Sequence, residues 1–308
     1  MSSIKSIDNT VAPFVSVIVP CYNSERTIRR CLASIINQQT SVNFDITVVD
    51  SSSDQTPQII QSEFPSVRLI HLEERAFAGA ARNLGVRSTG GPFCLMIDSD
   101  CVASPGVIER ALARLRDVNR EKSYAAVGGS LRNGTPKSLS GIVGYLAEFK
   151  EFMPAAPLRL CTSVPTAVAA YRRETLERFE GFREDLWPAE DILLHWKMHR
   201  AGEQILFDPA IEVIHLNRTG WREVLTYQIR LGMTSAIARR LGGLPGTILL
   251  RHRALIALMP FVRTMRAAEW LVKYDFKLFA LFLLIWPFYF LAMSFWSAGF
   301  FKEAGRRL

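Results

Sequence analysis

Cysteine is scarce: Cys21, Cys31, Cys94, Cys101 and Cys161 are odd in number and form no CxxC pair. That excludes a disulfide framework and leaves no zinc spacing. Reduced, mostly buried thiols in a cytosolic domain are expected instead. GxGxxG is absent, which sets aside an ordinary dinucleotide oxidoreductase. No HExxH frame surrounds His195 and His199, so they and His71 read as structural. There is no internal repeat and no low-complexity segment. The opening MSSIKSIDNTVAPF lacks an apolar h-region and does not read as a secretory signal. Acid is scarce in one place only. Residues 1–238 carry 26 basic and 26 acidic residues, whereas residues 239–308 carry 11 and 3, the whole of the net +8.

A basic end suits either nucleic acid or an anionic membrane. The neighbouring residues decide for the membrane. Residues 278–301 contain no charge and lie between Lys273 and Lys277 on one side and Lys302, Arg306 and Arg307 on the other. A helix of about 20 apolar residues crosses a bilayer core. Trp286, Tyr289 and Trp296 suit its interfaces, and Pro287 implies a kink. Residues 244–262, interrupted by Arg251-His252-Arg253, read as an interfacial or re-entrant helix. Breakers at 241–246 mark a boundary between residues 1–240 and a basic membrane-associated region, 241–308.

The first hundred residues alternate strand and helix. Strands are expected over 14–19 (closed by Pro20), 44–49, 67–72 and 92–97, with helices opening at Ser24 and covering 55–63 and 76–86. That alternation predicts an α/β fold with a doubly wound sheet, whose ligands sit at the carboxyl ends of the strands. Farther on, strands are expected over 124–131, 163–171, 204–207 and 211–215. Helices are expected over 138–152, 187–202 and from Trp221 to Arg240, with the Pro-rich 153–160 as a loop.

Polar clusters fall after the strands: Tyr22-Asn23, Asp50 to Asp54, and Asp98-Ser99-Asp100. In an extended chain residues i and i+2 share a face, so Asp98 and Asp100 face one site. Two close like charges need a cation between them, and Mg²⁺ or Mn²⁺ takes oxygen ligands shared with phosphates. A solvated turn is the plain alternative. DSDCV also matches the aspartyl-nucleophile pattern of haloacid-dehalogenase-like phosphatases, with Asp98 attacking, although three strand–helix units precede it. Arg82, beside Asn83, is placed to clamp a diphosphate.

In order, VSVIVPCYNSE (15–25), VVDSSSDQT (48–56), GAARNLG (79–85), MIDSD (96–100), PAED (188–191) and VIH (213–215) resemble the family 2 glycosyltransferases of the GT-A fold. The resemblance spans about residues 14–230. It implies a mixed GT-A sheet and inverting transfer from a nucleotide-diphosphate sugar. By that likeness Pro20, Tyr22, Glu25 and Asp50 hold the nucleoside, with Arg82 and Asn83 beside the donor. Asp98 and Asp100 grip the ribose and a metal-bridged diphosphate, and His215 is a further metal contact. Asp191 is the catalytic base, and Glu190 orients the acceptor. Asp191 also lies near a helix start, where the dipole favours its charged form.

Two departures bear on this. VDSSSD replaces the longer VDDGSxD, which leaves open which side chain meets the base. Gln228 and Arg230 lack the Trp of the processive members' QxxRW, so single-sugar addition is expected. The implied acceptor is a lipid-linked or cell-envelope glycan at the inner face of the membrane. A catalytically dead sugar-nucleotide-binding module is the non-enzyme alternative.

Overall fold

The computed structural model describes residues 14–116 and 123–306. Residues 1–13 of the amino-terminal stretch, and Arg307, lie outside the described residues. The chain divides into two compact units, Met1–Arg132 with Pro157–Leu216, and Asn133–Ala156 with Asn217–Leu308. The expected boundary at 240/241 falls inside the second unit.

In the first unit β1 (Val15–Cys21), α1 (Ile28–Ile36), β2 (Phe44–Asp50), α2 (Thr56–Glu63), β3 (Arg68–His71), α3 (Ala78–Arg87) and β4 (Phe93–Ile97) follow one another. β3, β2, β1 and β4 run parallel in that order. β1 is buried throughout, as a strand covered on both faces must be. α1 turns Ile28, Leu32 and Ile35 inward, and each such side chain contributes roughly 1.5–3 kcal/mol by burial. α3 lies directly on β1, because a Cβ at Gly85 would meet Ile18 Cγ2 at 2.4 Å.

Beyond β4 come β5 (Cys101–Ala103), α4 (Val107–Leu115) and β6 (Tyr124–Asn133). In the second unit α5 (Leu139–Phe149) and a 3₁₀ turn (Lys150–Phe152) follow. The first unit resumes with β7 (Arg159–Cys161), β8 (Val168–Arg172), α6 (Arg173–Arg178), α7 (Glu190–Arg200) and β9 (Gln204–His215). β8 pairs antiparallel with β4, and β5 and β7 pair antiparallel with β9, so the sheet is mixed.

The fold class agrees with expectation, and the details differ in places. β1 runs through Pro20, which pairs with Val49. The two strands expected over 204–215 are one, because Asp208 Oδ1 accepts the Ala210 N–H at 2.9 Å and the Pro209 carbonyl accepts Ser130 Oγ at 2.8 Å. The strand expected over 163–171 begins only at Val168. The Pro-rich loop contains β7.

The second unit continues with α8 (Trp221–Gly242), α9 (Ile248–Arg251), α10 (Met259–Tyr274) and α11 (Phe276–Ala304). The single helix expected over 244–262 is broken at His252 and passes through a 3₁₀ turn, Arg253–Leu258, before Pro260 opens α10 in its first turn. Asp275 caps α11 by accepting the Leu278 N–H at 3.0 Å. Among the described residues α11 is the helix long and apolar enough to cross a membrane. α8 and α11 meet backbone to backbone: a Cβ at Gly232 would lie 1.9 Å from the Trp296 carbonyl oxygen, and one at Gly299 2.0 Å from that of Ile229.

Candidate active site

Side chains stitch the loops after β1, β2 and β4 together. Asn23 takes a left-handed φ of 50°, its N–H donates to Ser52 Oγ at 2.7 Å, and its Oδ1 accepts the Ser53 N–H at 2.9 Å. The Ser24 N–H donates to Thr56 Oγ1 at 2.9 Å, and Ser24 Oγ lies 2.8 Å from Ser99 Oγ between the two aspartates. Glu25 donates its N–H to Asp54 and accepts that of Gln55. Asp50 is wholly buried: Oδ1 accepts Ser52 Oγ–H at 2.5 Å, and Oδ2 accepts the Ser52 N–H and pairs with His71 Nδ1 at 2.7 Å. His71 therefore has a partner at the site's edge. Pro20 is buried in β1. Tyr22 is exposed beneath the Arg75 guanidinium, 4.2 Å from its ring centroid. The same guanidinium approaches Phe77 and Trp187, whose rings stack on each other 6.3 Å apart.

Arg82 takes a different part from the diphosphate clamp read in the sequence. It is 2% exposed, with NH2 donating to Asp98 Oδ1 at 2.7 Å and NH1 to Glu190 Oε1 at 2.6 Å. Burial works against its charge, but the two carboxylates more than offset that and hold its pKa above the usual value. Asn83 is engaged with the loop before α7. Its Oδ1 accepts the Phe182 N–H at 2.9 Å, while Nδ2 donates to the Phe182 carbonyl and to Glu184. Gly79 presses on the Arg183 carbonyl, where a Cβ would sit 2.4 Å away. The Gly79-to-Asn83 pattern thus docks α3 on the loop that leads to Glu190-Asp191, and Arg82 ties that loop to Asp98.

Asp98 and Asp100 do not share an extended face, because residues 98–101 form a turn closed by Cys101 N–H donating to the Asp98 carbonyl at 2.9 Å. Asp98 points to Arg82. Asp100 lies at the mouth of β5, where Cys101 pairs with His215 of β9, and its Oδ1 is 3.6 Å from His215 Nε2. Cys101 Sγ completes a trio whose ligand atoms lie within 4.8 Å of one another. Burial, then Asp100 and Asp98, push that thiol well up, so it keeps its proton and donates weakly to Asp100. Asp100 and His215 supply one oxygen and one nitrogen at a spacing that a divalent ion can bridge. That donor set fits Mn²⁺ or Mg²⁺ with phosphate oxygens completing the shell.

α7 begins at Glu190 after Ala189, a buried residue at φ 95°, which costs an L side chain about 1–2 kcal/mol and sets the entry angle of the acidic pair. Burial pushes Glu190 up to about 7 against the pull of Arg82, and its Oε2 has no hydrogen-bond partner. Asp191 Oδ1 accepts the Ile192 N–H at 2.7 Å, and Oδ2 is within 3.5 Å of the Thr166 N–H and hydroxyl. Its pKa is raised, with burial outweighing Arg82 and the N–H groups of Ile192 and Thr166. One turn on, His195 lies between Tyr171 OH (2.8 Å) and Ser163 Oγ (3.1 Å), and burial pushes it down to about 3, a neutral brace for α7. Nothing in the sequence marked Thr166, Ser163 or Tyr171, each 24 to 32 residues from its partner.

Residues 16–179 match the Glycosyl transferase family 2 model. Among curated proteins the chain is 25% identical over 227 residues to glycosyltransferase AglE of Haloferax volcanii, covering 71% of this chain and 72% of that one. It is 30% identical over 200 residues to the poly(ribitol-phosphate) β-N-acetylglucosaminyltransferase TarS of Staphylococcus aureus, covering 62% of this chain but only 33% of TarS. The fold is similar to a Pyrobaculum calidifontis mannosyltransferase solved with GDP-Man and Mn²⁺ (TM-score 0.63, 20% identity, 96% and 88% coverage). It is also similar to S. aureus TarS with UDP-GlcNAc (TM-score 0.53, 19% identity, 94% and 90% coverage). The phosphatase alternative therefore falls away, and the chain belongs to glycosyl transferase family 2.

Proposed function

We propose that this glycosyltransferase moves one sugar from a nucleotide-diphosphate sugar to a hydroxyl of a lipid-linked or cell-envelope glycan, with inversion, at the inner face of a membrane. The observation that carries the reading is the Arg82 bridge, which fixes Asp98 and Glu190 on either side of one guanidinium. Asp191 is the base. Its raised pKa gives a carboxylate basic enough to take the acceptor's O–H proton as that oxygen bonds to the anomeric carbon. The bond from that carbon to the diphosphate breaks on the opposite side, and the nucleoside diphosphate leaves.

Asp100 and His215 would hold a divalent ion, which when bound neutralises charge on the departing diphosphate. Asp98, fixed by Arg82, would receive the ribose. Tyr22 offers an exposed ring for the base, bordered by Glu25 and Pro20, and Asp50 shapes that wall from beneath through Ser52 and His71. Glu190 orients the acceptor with its unpartnered Oε2. The charge of α9 to α11 and the length of α11 support membrane attachment.

The test is transfer and donor hydrolysis with UDP- and GDP-sugars in Mn²⁺. Asp191→Asn should retain donor binding and lose about 10²–10⁴-fold in turnover. Asp100→Asn should raise the metal concentration needed for half-maximal rate. Full turnover by Asp191→Asn would sink the base assignment, and an unchanged metal requirement in Asp100→Asn would sink the metal site.

A further inference from the structure

Beside Asp100 and His215 lies a third donor atom that the transfer chemistry does not use. Cys101 opens β5 and pairs directly with His215 of β9. Residues opposite one another on antiparallel strands send their side chains to the same face, with Cβ atoms about 4.5–5.5 Å apart. Two main-chain bonds hold Asp100 beside that pair. Its carbonyl accepts the Leu216 N–H at 2.9 Å, and the Cys101 N–H closes the turn on the Asp98 carbonyl. Asp100 Oδ1 stands 3.6 Å from His215 Nε2 and 3.8 Å from Cys101 Sγ, and all three atoms lie within 4.8 Å of one another.

Cys101 and His215 are buried, at 0% and 5%, whereas the Asp100 side chain is 34% exposed and gives an ion its way in. Among the described residues no other group of three His, Cys, Asp or Glu side chains brings ligand atoms this close. Other thiols meet main-chain carbonyls instead: Cys31 Sγ donates to that of Asp98 at 3.5 Å, and Cys161 Sγ to that of Ile205 at 4.0 Å.

Divalent ions differ in how they take such a set. Mg²⁺ and Mn²⁺ prefer oxygen and octahedral shells, so Asp100 and His215 leave most positions to the diphosphate and water. Zn²⁺ and Co²⁺ accept thiolate readily, and Zn²⁺ is commonly four-coordinate. Three protein ligands then leave a single open position, too few for a diphosphate to chelate through two oxygens.

We propose that Cys101 is a third ligand for thiophilic divalent ions, so that Zn²⁺ binds here more tightly than Mn²⁺ and closes the site to the donor's diphosphate. As the metal–sulfur bond forms, the S–H bond breaks and its proton passes to solvent. Mg²⁺ and Mn²⁺, held through Asp100 and His215, leave the thiol protonated. The proposal rests on the Asp100–His215 metal site assigned under the proposed function, and adds to it a chemical basis for inhibition by zinc.

The full chain in uncharged detergent, stripped of metal with a chelator, is titrated with Co²⁺ while the near-ultraviolet charge-transfer band of a cobalt–thiolate bond is followed. The band should appear, and Zn²⁺ should abolish it at lower concentration than Mn²⁺ does. Cys101→Ala and Cys101→Ser should lack the band and bind Zn²⁺ about 10–100-fold or more weakly, since losing even an outer-shell partner costs that much. Cys161→Ala should keep it. Co²⁺ bound without the band, or a band that survives in both Cys101 variants, would overturn the proposal. The first of these outcomes needs only the parent chain, so a variant that fails to fold does not protect the idea. Binding of UDP- and GDP-sugars is measured on the same samples by calorimetry. Zn²⁺ should weaken the binding seen in Mn²⁺, and undiminished binding would overturn the closure of the site. Donor binding that depends on Mn²⁺ without any cobalt band sinks the thiol ligand alone, whereas donor binding indifferent to Mn²⁺ sinks the metal site beneath it.

Discussion

The two units treat buried charge in opposite ways. In the first, Arg82 has a carboxylate on each side at 2.6 and 2.7 Å, a closed set that makes geometry its product. In the second, Lys150 and Arg266 share Glu151 at 3.7 and 3.9 Å, while Arg263 rests on a ring and a thioether, an open set short of negative charge. A closed set fixes neighbours in place, whereas an open one holds its cations less tightly. The difference predicts what happens when a cation is removed from each.

The largest effect is expected from Arg82→Met. It strands two carboxylates, and removing one member of a buried pair costs about 3–5 kcal/mol. Urea denaturation should show that loss, and adding Glu190→Gln should recover part of it. If Arg82→Met were neutral, the bridge would not organise the site.

Next comes Gly299→Leu, which has no room against the Ile229 carbonyl and should cost about 1–3 kcal/mol or more as α11 is pushed from α8. Retained thermal stability of the variant would show that the two helices can part without cost.

A pH series sharpens the comparison further. Glu190 and Asp191 are both raised by burial and titrate together, so the acid limb of the rate profile should lie above the ordinary carboxylate range, reaching toward about 7, with activity rising as pH rises. For stability the sign reverses. A carboxyl whose folded value is raised contributes stability below its ordinary value of 4.5 and loses it as pH climbs through about 7. Glu190→Gln should flatten the thermal midpoint across that window, and an unchanged slope would count against the assignment.

The smallest effect is expected from Lys150→Met. Removing a buried cation from a positive cluster should be neutral or stabilising by about 1 kcal/mol. A loss like that of Arg82→Met would erase the contrast between the two units.

The sequence named residues that the fold brings together, but not how they are wired. Runs such as VSVIV and FCLMI marked buried strands because burial on both faces leaves a continuous apolar signature. The spacing of DSD, PAED and VIH named residues that the fold links, Asp98 and Glu190 through Arg82 and Asp100 beside His215. What stayed hidden depends on contacts between distant residues. The segment with β5 and α4 was unread because β5 has only three residues and exists by pairing with β9. Arg82 and Asn83 looked like donor contacts because a polar residue on a helix near a crevice carries no mark of which partner it will find. The two had carboxylates and loop carbonyls about a hundred residues away. The alternation rule failed at Asp98 and Asp100 because the strand had already ended in a turn.

Gly232 and Gly299 have a mechanical consequence. Helices separated by side chains can shift as rotamers readjust, and that compliance absorbs small displacements. Where the main chain of α8 touches that of α11, there is nothing soft to compress. The pair behaves as a stiff strut, so any tilt imposed on α11 is delivered to α8 undamped.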